Sequence, residues 1–371
     1  MSTTTKQPML KFSKDQSNDF FVVLRKRVNT YFKENHISKT GNTNMVAKTI
    51  FMISLYFVPY AFLLSGLITN PWIMILMWLI MGMGMSGIGL SIMHDANHGS
   101  YSKNKHVNKV LSYILELMGG SSRNWRIQHN KLHHTYTNVE GMDVDIKERG
   151  ILRFSPHQKR RKVHRLQFIY AWLLYGIMSL YWVTAKDFLQ MVSFKKQGHI
   201  AGKEYRKLVA EIILGKIFYY AYALVLPMVL LPFSPWLVFL GFFAMHFVAG
   251  FVLTCIFQTA HVMTSTEYPL PDENGEFENN WAIHQLKTTT NYAPKSTFFS
   301  WFVGGLNYQV EHHLFPNICH VHYKKISKIV QQTANEYNVP YNFKKSFASA
   351  MWEHTKMLYI LGKSDLMYVK S

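Results

Sequence analysis

The residues of this chain with the clearest chemistry lie in three short motifs and one outlier. HDANH holds His94 and His98, and HNKLHH holds His129, His133 and His134. QVEHH holds Gln309, His312 and His313, and His261 stands apart in QTAHV. Residues four apart share one face of a helix. HxxxH therefore sets two imidazoles side by side, and HxxxHH and QxxHH add a ring on the next face. Imidazole is the commonest metal-ligating side chain and suits iron, zinc and copper. Eight histidines and a glutamine exceed what one four-coordinate ion needs and match two ions. A single HxxxH often arises by chance as a packing or surface pair. Three such boxes in 371 residues, each at or just beyond the end of an apolar segment, point to a metal site.

The elements that must position these boxes are apolar helices. Residues 46–68 form a run long enough to cross a bilayer, which takes about 20 helical residues. Asn70-Pro71 breaks it, and a second run at 72–93 contains MGMGMSGIG, read as close packing, and leads straight into the first box. Two more runs cover 211–231 and 236–257, separated by Pro232 and Pro235, and His261 follows one turn beyond. The ambiguous stretch is 166–183. If it crossed, the third box would lie on the opposite side from the first two. As an interfacial helix between Arg165 and Lys186, it leaves four spans in two hairpins with every box on one side. The hairpin turns near 69–71 and 232–235 carry no Lys or Arg, so the positive-inside rule puts the boxes and both termini in the cytosol.

Composition agrees with a membrane protein. Hydrophobic residues make up 49% and charged residues only 16%, against about 25% in soluble domains. The net charge of +19 fits cytosolic loops beside anionic lipid. Nucleic-acid binding is disfavoured, because the basic residues flank apolar spans and form no single stripe. Two cysteines, Cys255 and Cys319, imply no disulfide framework and fit a reducing compartment. Residues 1–16 lack the apolar core of a signal peptide. From Ser17 to about Asn35 a stripe of Phe20, Val23, Leu24, Val28, Tyr31 and Phe32 marks an amphipathic helix, for the membrane surface or for packing. Residues 262–371 read as a cytosolic helical cap. The expectation is a single domain over 1–371: an all-α membrane protein with four transmembrane helices and a cap holding the metal site.

HDANH, HNKLHHTYTN and NYQVEHHLFP resemble the three boxes of integral-membrane fatty acid desaturases, over residues 45–330. The leading glutamine of the third box resembles front-end desaturases and their bacterial linoleoyl-CoA relatives. The resemblance implies a non-haem di-iron centre, two iron ions that use O₂ and two electrons to leave a cis double bond in a fatty acyl chain. It assigns His94, His98, His129, His133, His134, His261, His312 and His313 as ligands and puts Gln309 in the place of a histidine. Iron rests on the resemblance alone, since metal affinity would favour zinc or copper. It implies Δ6 or Δ5 insertion on an unsaturated chain such as linoleoyl, presented on CoA or lipid. Many front-end desaturases carry a fused cytochrome b5 domain with an HPGG motif. No HPGG occurs here, so the expected electron donor is separate, a ferredoxin first and cytochrome b5 second.

Other polar residues have candidate supporting roles. Asp95 and Asn307 are favoured to orient ligand rings, ahead of Asp143, Asp145 and Glu311, with capping or solvation as the competing role. His320 and His322 read as structural or outer residues, His284 as part of the cap, and His246 as a neutral packing residue mid-span. Two other functions compete: hydroxylation on a similar di-iron scaffold, and non-catalytic metal binding or transport. A transporter would spread polar residues through its spans, whereas here they gather at one membrane face.

Overall fold

The structure is a computed structural model that describes residues 10–13, 19–147 and 150–364. Most of the polar lead at 1–16 and the end of the cap beyond 364 lie outside the described residues. Helices dominate, and the strands among the described residues are two short parallel pairs. Lys11–Phe12 lies beside Glu276–Phe277, and Asn291–Tyr292 beside Phe343–Lys344.

Among the described residues, five helices are long and apolar enough to cross a membrane: Thr43–Leu64, Pro71–His98, Lys162–Lys196, Gly202–Leu230 and Pro235–His261. Four overlap the runs read as spans, and the fifth contains the 166–183 stretch. Their starts follow from capping. Asn70 Oδ1 accepts from the amides of Trp72 at 2.9 Å and Ile73 at 3.3 Å, and Pro71 sits in the first turn, where its missing N–H costs nothing. Ser234 caps helix Pro235–His261 through the Leu237 amide at 3.3 Å, again with proline next.

The small residues of MGMGMSGIG let three helices meet closely. A Cβ on Gly84 would lie 2.7 Å from the Tyr56 amide nitrogen, and one on Gly82 would lie 2.5 Å from the Met245 carbonyl oxygen. Helix Pro71–His98 is thereby held against both neighbours, around Met52, Tyr56, Trp78, Phe242 and Met245. Helix Lys162–Lys196 crosses Pro235–His261 where Gly250 faces Gly176. One of its ends meets the C-terminal helix Phe347–Lys363, through Gln167 Nε2 donating to Leu358 O at 2.8 Å. The other end meets the second box segment, through Asn124 Nδ2 donating to Asp187 O at 2.9 Å.

The N-terminal helix Phe20–Glu34 buries Phe20, Leu24, Val28 and Phe32 against Leu314, Ile326 and Val330. An ion pair of 2.6 Å between Arg27 and Glu336 ties its outer edge to helix Tyr323–Glu336. Of the two uses its stripe allowed, the structure shows packing on the protein's own polar layer.

Candidate metal centre

Local helix geometry aims the histidines. Helix Pro71–His98 is π-helical over Ile88–Met93 and returns to α over His94–His98. Gly99, at φ 73, stops it in the left-handed region. The second box is π-helical over Ile127–His133, and the His134 amide bonds His129 O at 3.0 Å. The extra residue in that turn rotates the box. His129 therefore pairs with His134, Nε2 to Nε2 at 3.2 Å. His133 turns toward His261 and His313, with ring centroids at 4.7 and 4.9 Å. The four-residue pairing read from HxxxH holds for His94 and His98, whose centroids are 4.8 Å apart.

Two all-histidine groups of donor atoms form, linked by a third in which His129 lies with His133 and Asp145. Those of His94, His98, His129 and His312 lie within 4.8 Å of one another, and so do those of His133, His261 and His313. His134 stands between them, its ring 4.5 Å from His312 and 4.4 Å from His313. All eight sequence-predicted histidines thus converge. Gln309 opens the turn that carries His312 and His313; it is buried, and its Nε2 has no hydrogen-bond partner.

These donors fit metal ions. The Nε2 atoms of His94 and His312 lie 3.2 and 3.4 Å from that of His129. Nitrogens sharing one ion at about 2.1 Å stand roughly 3.0–3.4 Å apart. The Nε2 atoms of His98, His261 and His313 are buried without partners. Each such orphan costs about 1–3 kcal/mol when nothing satisfies it.

In four of the rings, the Nδ1 atom is anchored. His133 Nδ1 lies 3.1 Å from both oxygens of Asp143 and 3.5 Å from Asp145. His313 Nδ1 donates to Gln285 Oε1 at 2.8 Å, and His261 Nδ1 to Thr288 O at 3.2 Å. His312 Nδ1 is 3.2 Å from the Tyr323 hydroxyl. Anchors of this kind fix tautomer and ring direction, which aims Nε2 at an ion. Asp95 sits 3.5 Å from His94 Nδ1, and its other oxygen meets His320 Nδ1 at 2.9 Å. Lys48 Nζ is 2.6 Å from the far side of His320.

Asn307 donates to Tyr292 O and Ser300 Oγ, both at 3.0 Å, and braces the loop before the third box without bonding a histidine. Glu311 accepts from Asn291 at 2.7 Å and Tyr341 at 3.0 Å. His322 meets Thr40 O, His284 meets Thr137 O, and His246 bonds Ser179 and Tyr219. Gln285, Thr288 and Tyr323 were missed in the sequence, where nothing but polarity marks them.

Burial, reinforced by neighbouring rings, holds His129, His134, His312 and His313 well below the usual imidazole range, so they are neutral and able to bind. His133 differs. Burial opposes its charge, but Asp143 and Asp145 outweigh burial and push it up to about 9.

A cavity of about 440 Å³ runs from His129 between helices Lys162–Lys196 and Pro235–His261. Part of its polar lining is a hydrogen-bonded network: Gln128 bonds Asp145 and receives Lys186 at 2.7 Å, and Gln258 donates to Asp145 O at 3.3 Å. Lys147, Ser179 and Thr254 also line it, and most of the rest of the wall is apolar, including Leu174, Met178, Leu253 and Phe257. A smaller cavity of about 40 Å³ between Met85, Met118 and His246 shares Trp125, Ser179 and Trp182 with it.

An apolar cavity against a nest of histidine donors joins a chain-like substrate to a metal, within helices of membrane length. That combination marks a class, the membrane oxidoreductases of acyl chains. Comparison with known proteins narrows it. The family model described as fatty acid desaturase matches residues 70–345, and the chain belongs to that family. It is 36% identical over 352 residues to the sn-1 linoleoyl-lipid 6-desaturase of Synechocystis sp., covering 94% of this chain and 97% of that protein. The sn-1 linoleoyl-lipid 6-desaturase of Arthrospira platensis is 36% identical, with 88% of each chain covered. The acyl-lipid (8-3)-desaturase of Physcomitrium patens is 35% identical, with 97% of this chain and 75% of that one covered. The protein is an integral-membrane fatty acyl desaturase.

Proposed function

We propose that this enzyme inserts a cis double bond at Δ6 of a linoleoyl chain carried on a membrane lipid, with Δ5 the next position to consider. It uses two iron ions, O₂ and two electrons from a separate carrier. The observation that carries the regiochemistry is the place of the cavity's polar network. Asp145 belongs to that network and also lies 3.5 Å from His133. A chain whose carboxyl end rests on the network has few carbons before it reaches the histidines. The apolar part of the wall takes the rest, so the new bond falls near the carboxyl end. The names of the Synechocystis and Arthrospira relatives favour a lipid-linked linoleoyl substrate.

In net terms, two adjacent methylenes lose one hydrogen each, and O₂ takes these two hydrogens with two electrons and two protons to leave as two waters. The irons supply the O₂ chemistry that an unactivated methylene requires. His94, His98, His129, His134 and His312 would hold one ion, and His133, His261, Gln309 and His313 the other. Asp143, Gln285, Tyr323 and the Thr288 carbonyl keep their rings aimed. Trp125, Trp182, Leu253 and Phe257 wall the chain and exclude water from the reacting carbons.

The same reading takes four spans, with helix Lys162–Lys196 lying across the interface. Both of its ends hydrogen-bond site-side elements, Leu358 at one end and Asn124 at the other, which supports a helix that returns to its starting side. The boxes and termini then face the cytosol. Purified iron-loaded enzyme, supplied with a reducing system and either linoleoyl phospholipid or linoleoyl-CoA, tests the substrate class. Alkene is expected from the phospholipid. A hydroxy acid product would move the enzyme to the hydroxylases.

A further inference from the structure

We propose that the exposed edge of His98, with the basic segment that follows it, is the docking site of an acidic one-electron carrier protein. The proposal rests on the desaturase reading, which needs two electrons per turnover. Of the eight converging histidines, His98 alone is partly exposed; the others are buried. Its Nε2 is buried and unpartnered. His98 is therefore the member of the donor cluster that reaches toward the surface. Electron transfer falls steeply with distance, so an exposed ligand edge is the favoured approach.

The surroundings fit a protein partner. Beside the ring, a Cβ on Gly99 would meet nothing within 4 Å, so the approach is open. Asn108 Nδ2 donates to Gly99 O at 3.2 Å and Ser102 O at 2.7 Å, which locks helix Lys105–Ser112 beside that opening. Lys103, Lys105, His106 and Lys109 are exposed there, and no Asp or Glu occurs from Gly99 to Leu115. On the other side, Arg126 Nη1 reaches Asn97 Oδ1 at 3.4 Å. No residue from 97 to 109 lines the acyl cavity, so carrier and acyl chain would approach from different sides. A positive rim around a redox edge selects an acidic carrier and speeds its arrival. The exposed Val107 and Val110 raise anionic lipid as the competing occupant.

The test uses full-length, iron-loaded enzyme in nanodiscs of phosphatidylcholine, with and without anionic lipid, as wild type and as Lys103→Glu/Lys105→Glu/Lys109→Glu. Three quantities are measured: binding of a plant-type ferredoxin, product formation driven by reduced ferredoxin, and product formation driven by dithionite with methyl viologen. The triple variant should bind ferredoxin about tenfold more weakly and lose kcat/KM for it to a similar degree, and the wild type should show the same loss as salt is raised. Its iron content and viologen-driven product should equal those of wild type. Unchanged ferredoxin binding overturns the proposal, as does a parallel loss of viologen-driven product. A defect that appears only in discs containing anionic lipid assigns the face to lipid and also overturns it. A wild type that makes no alkene with viologen, yet binds ferredoxin in this salt-sensitive way, sinks the desaturase reading and leaves the docking face standing.

Discussion

His133 and Asp143 face each other with Nδ1 3.1 Å from each carboxylate oxygen. Asp143 is itself held by the amides of Asn138 and Asp145, both at 2.9 Å. The pair makes metal binding depend on pH. Because the pKa of His133 is raised to about 9, the metal-free ring is charged at neutral pH, and an ion must displace that proton. Affinity at this ion should climb as pH rises toward about 9, by up to about tenfold per unit, and then level off. Asp143→Asn removes one of the two charges that raise the pKa, so its climb should end at lower pH. It also loses the anchor, at a cost of about 10–100-fold in metal affinity or activity. Metal-binding isotherms across this range check both effects, and a flat wild-type profile contradicts the pairing.

The histidine boxes and the four apolar runs were legible because both are local patterns. What was not legible depends on tertiary packing. The π turn over Ile127–His133 splits the second box, sending His133 to one group and pairing His129 with His134. Nothing in HNKLHH announces an extra residue per turn. Asp143 ranked below Asn307 in the sequence, yet it meets His133, while Asn307 braces a loop. The choice between them turns on how residues 138–145 fold back onto the box. Tyr323 and Gln285 reach their histidines from other helices, so spacing along the chain could not find them. The apolar stretch at 166–183 proved part of a 35-residue helix, because its charged flanks continue the helix at both ends.

The proposed function gives one ion to each of the two groups of donors. Purified active enzyme should carry about two metals per chain, iron when active, although zinc can replace it on overexpression. Elemental analysis alongside an activity assay decides this. One metal per chain at full activity contradicts a dinuclear centre.

Reporters placed after Lys103 and after Gly198 lie on either side of helix Lys162–Lys196 and its flanks in the chain. Both should read cytosolic if that helix lies in the interface. Opposite readings would mean that it crosses, and the four-span arrangement would fall.

Gln309 begins the turn that carries His312 and His313, and its amide Nε2 is buried without a partner. An amide is a weaker, neutral ligand than imidazole. Gln309→Ala should lower turnover and loosen the second ion, without unfolding the hairpins. His312→Ala and His313→Ala should lose more of both, because each removes a strong ligand. Turnover, metal content and thermal unfolding of the three variants are compared. Wild-type activity in Gln309→Ala removes that residue from the site.

The central claim is front-end desaturation, and the position of the new double bond tests it most directly. The enzyme is expressed in a host that lacks polyunsaturated acids, the host is fed linoleate, and the extracted lipids are analysed by gas chromatography with mass spectrometry. The account predicts a new cis bond between the existing bonds and the carboxyl end, at Δ6. Insertion on the methyl side of the existing bonds, or a hydroxylated product, would contradict it.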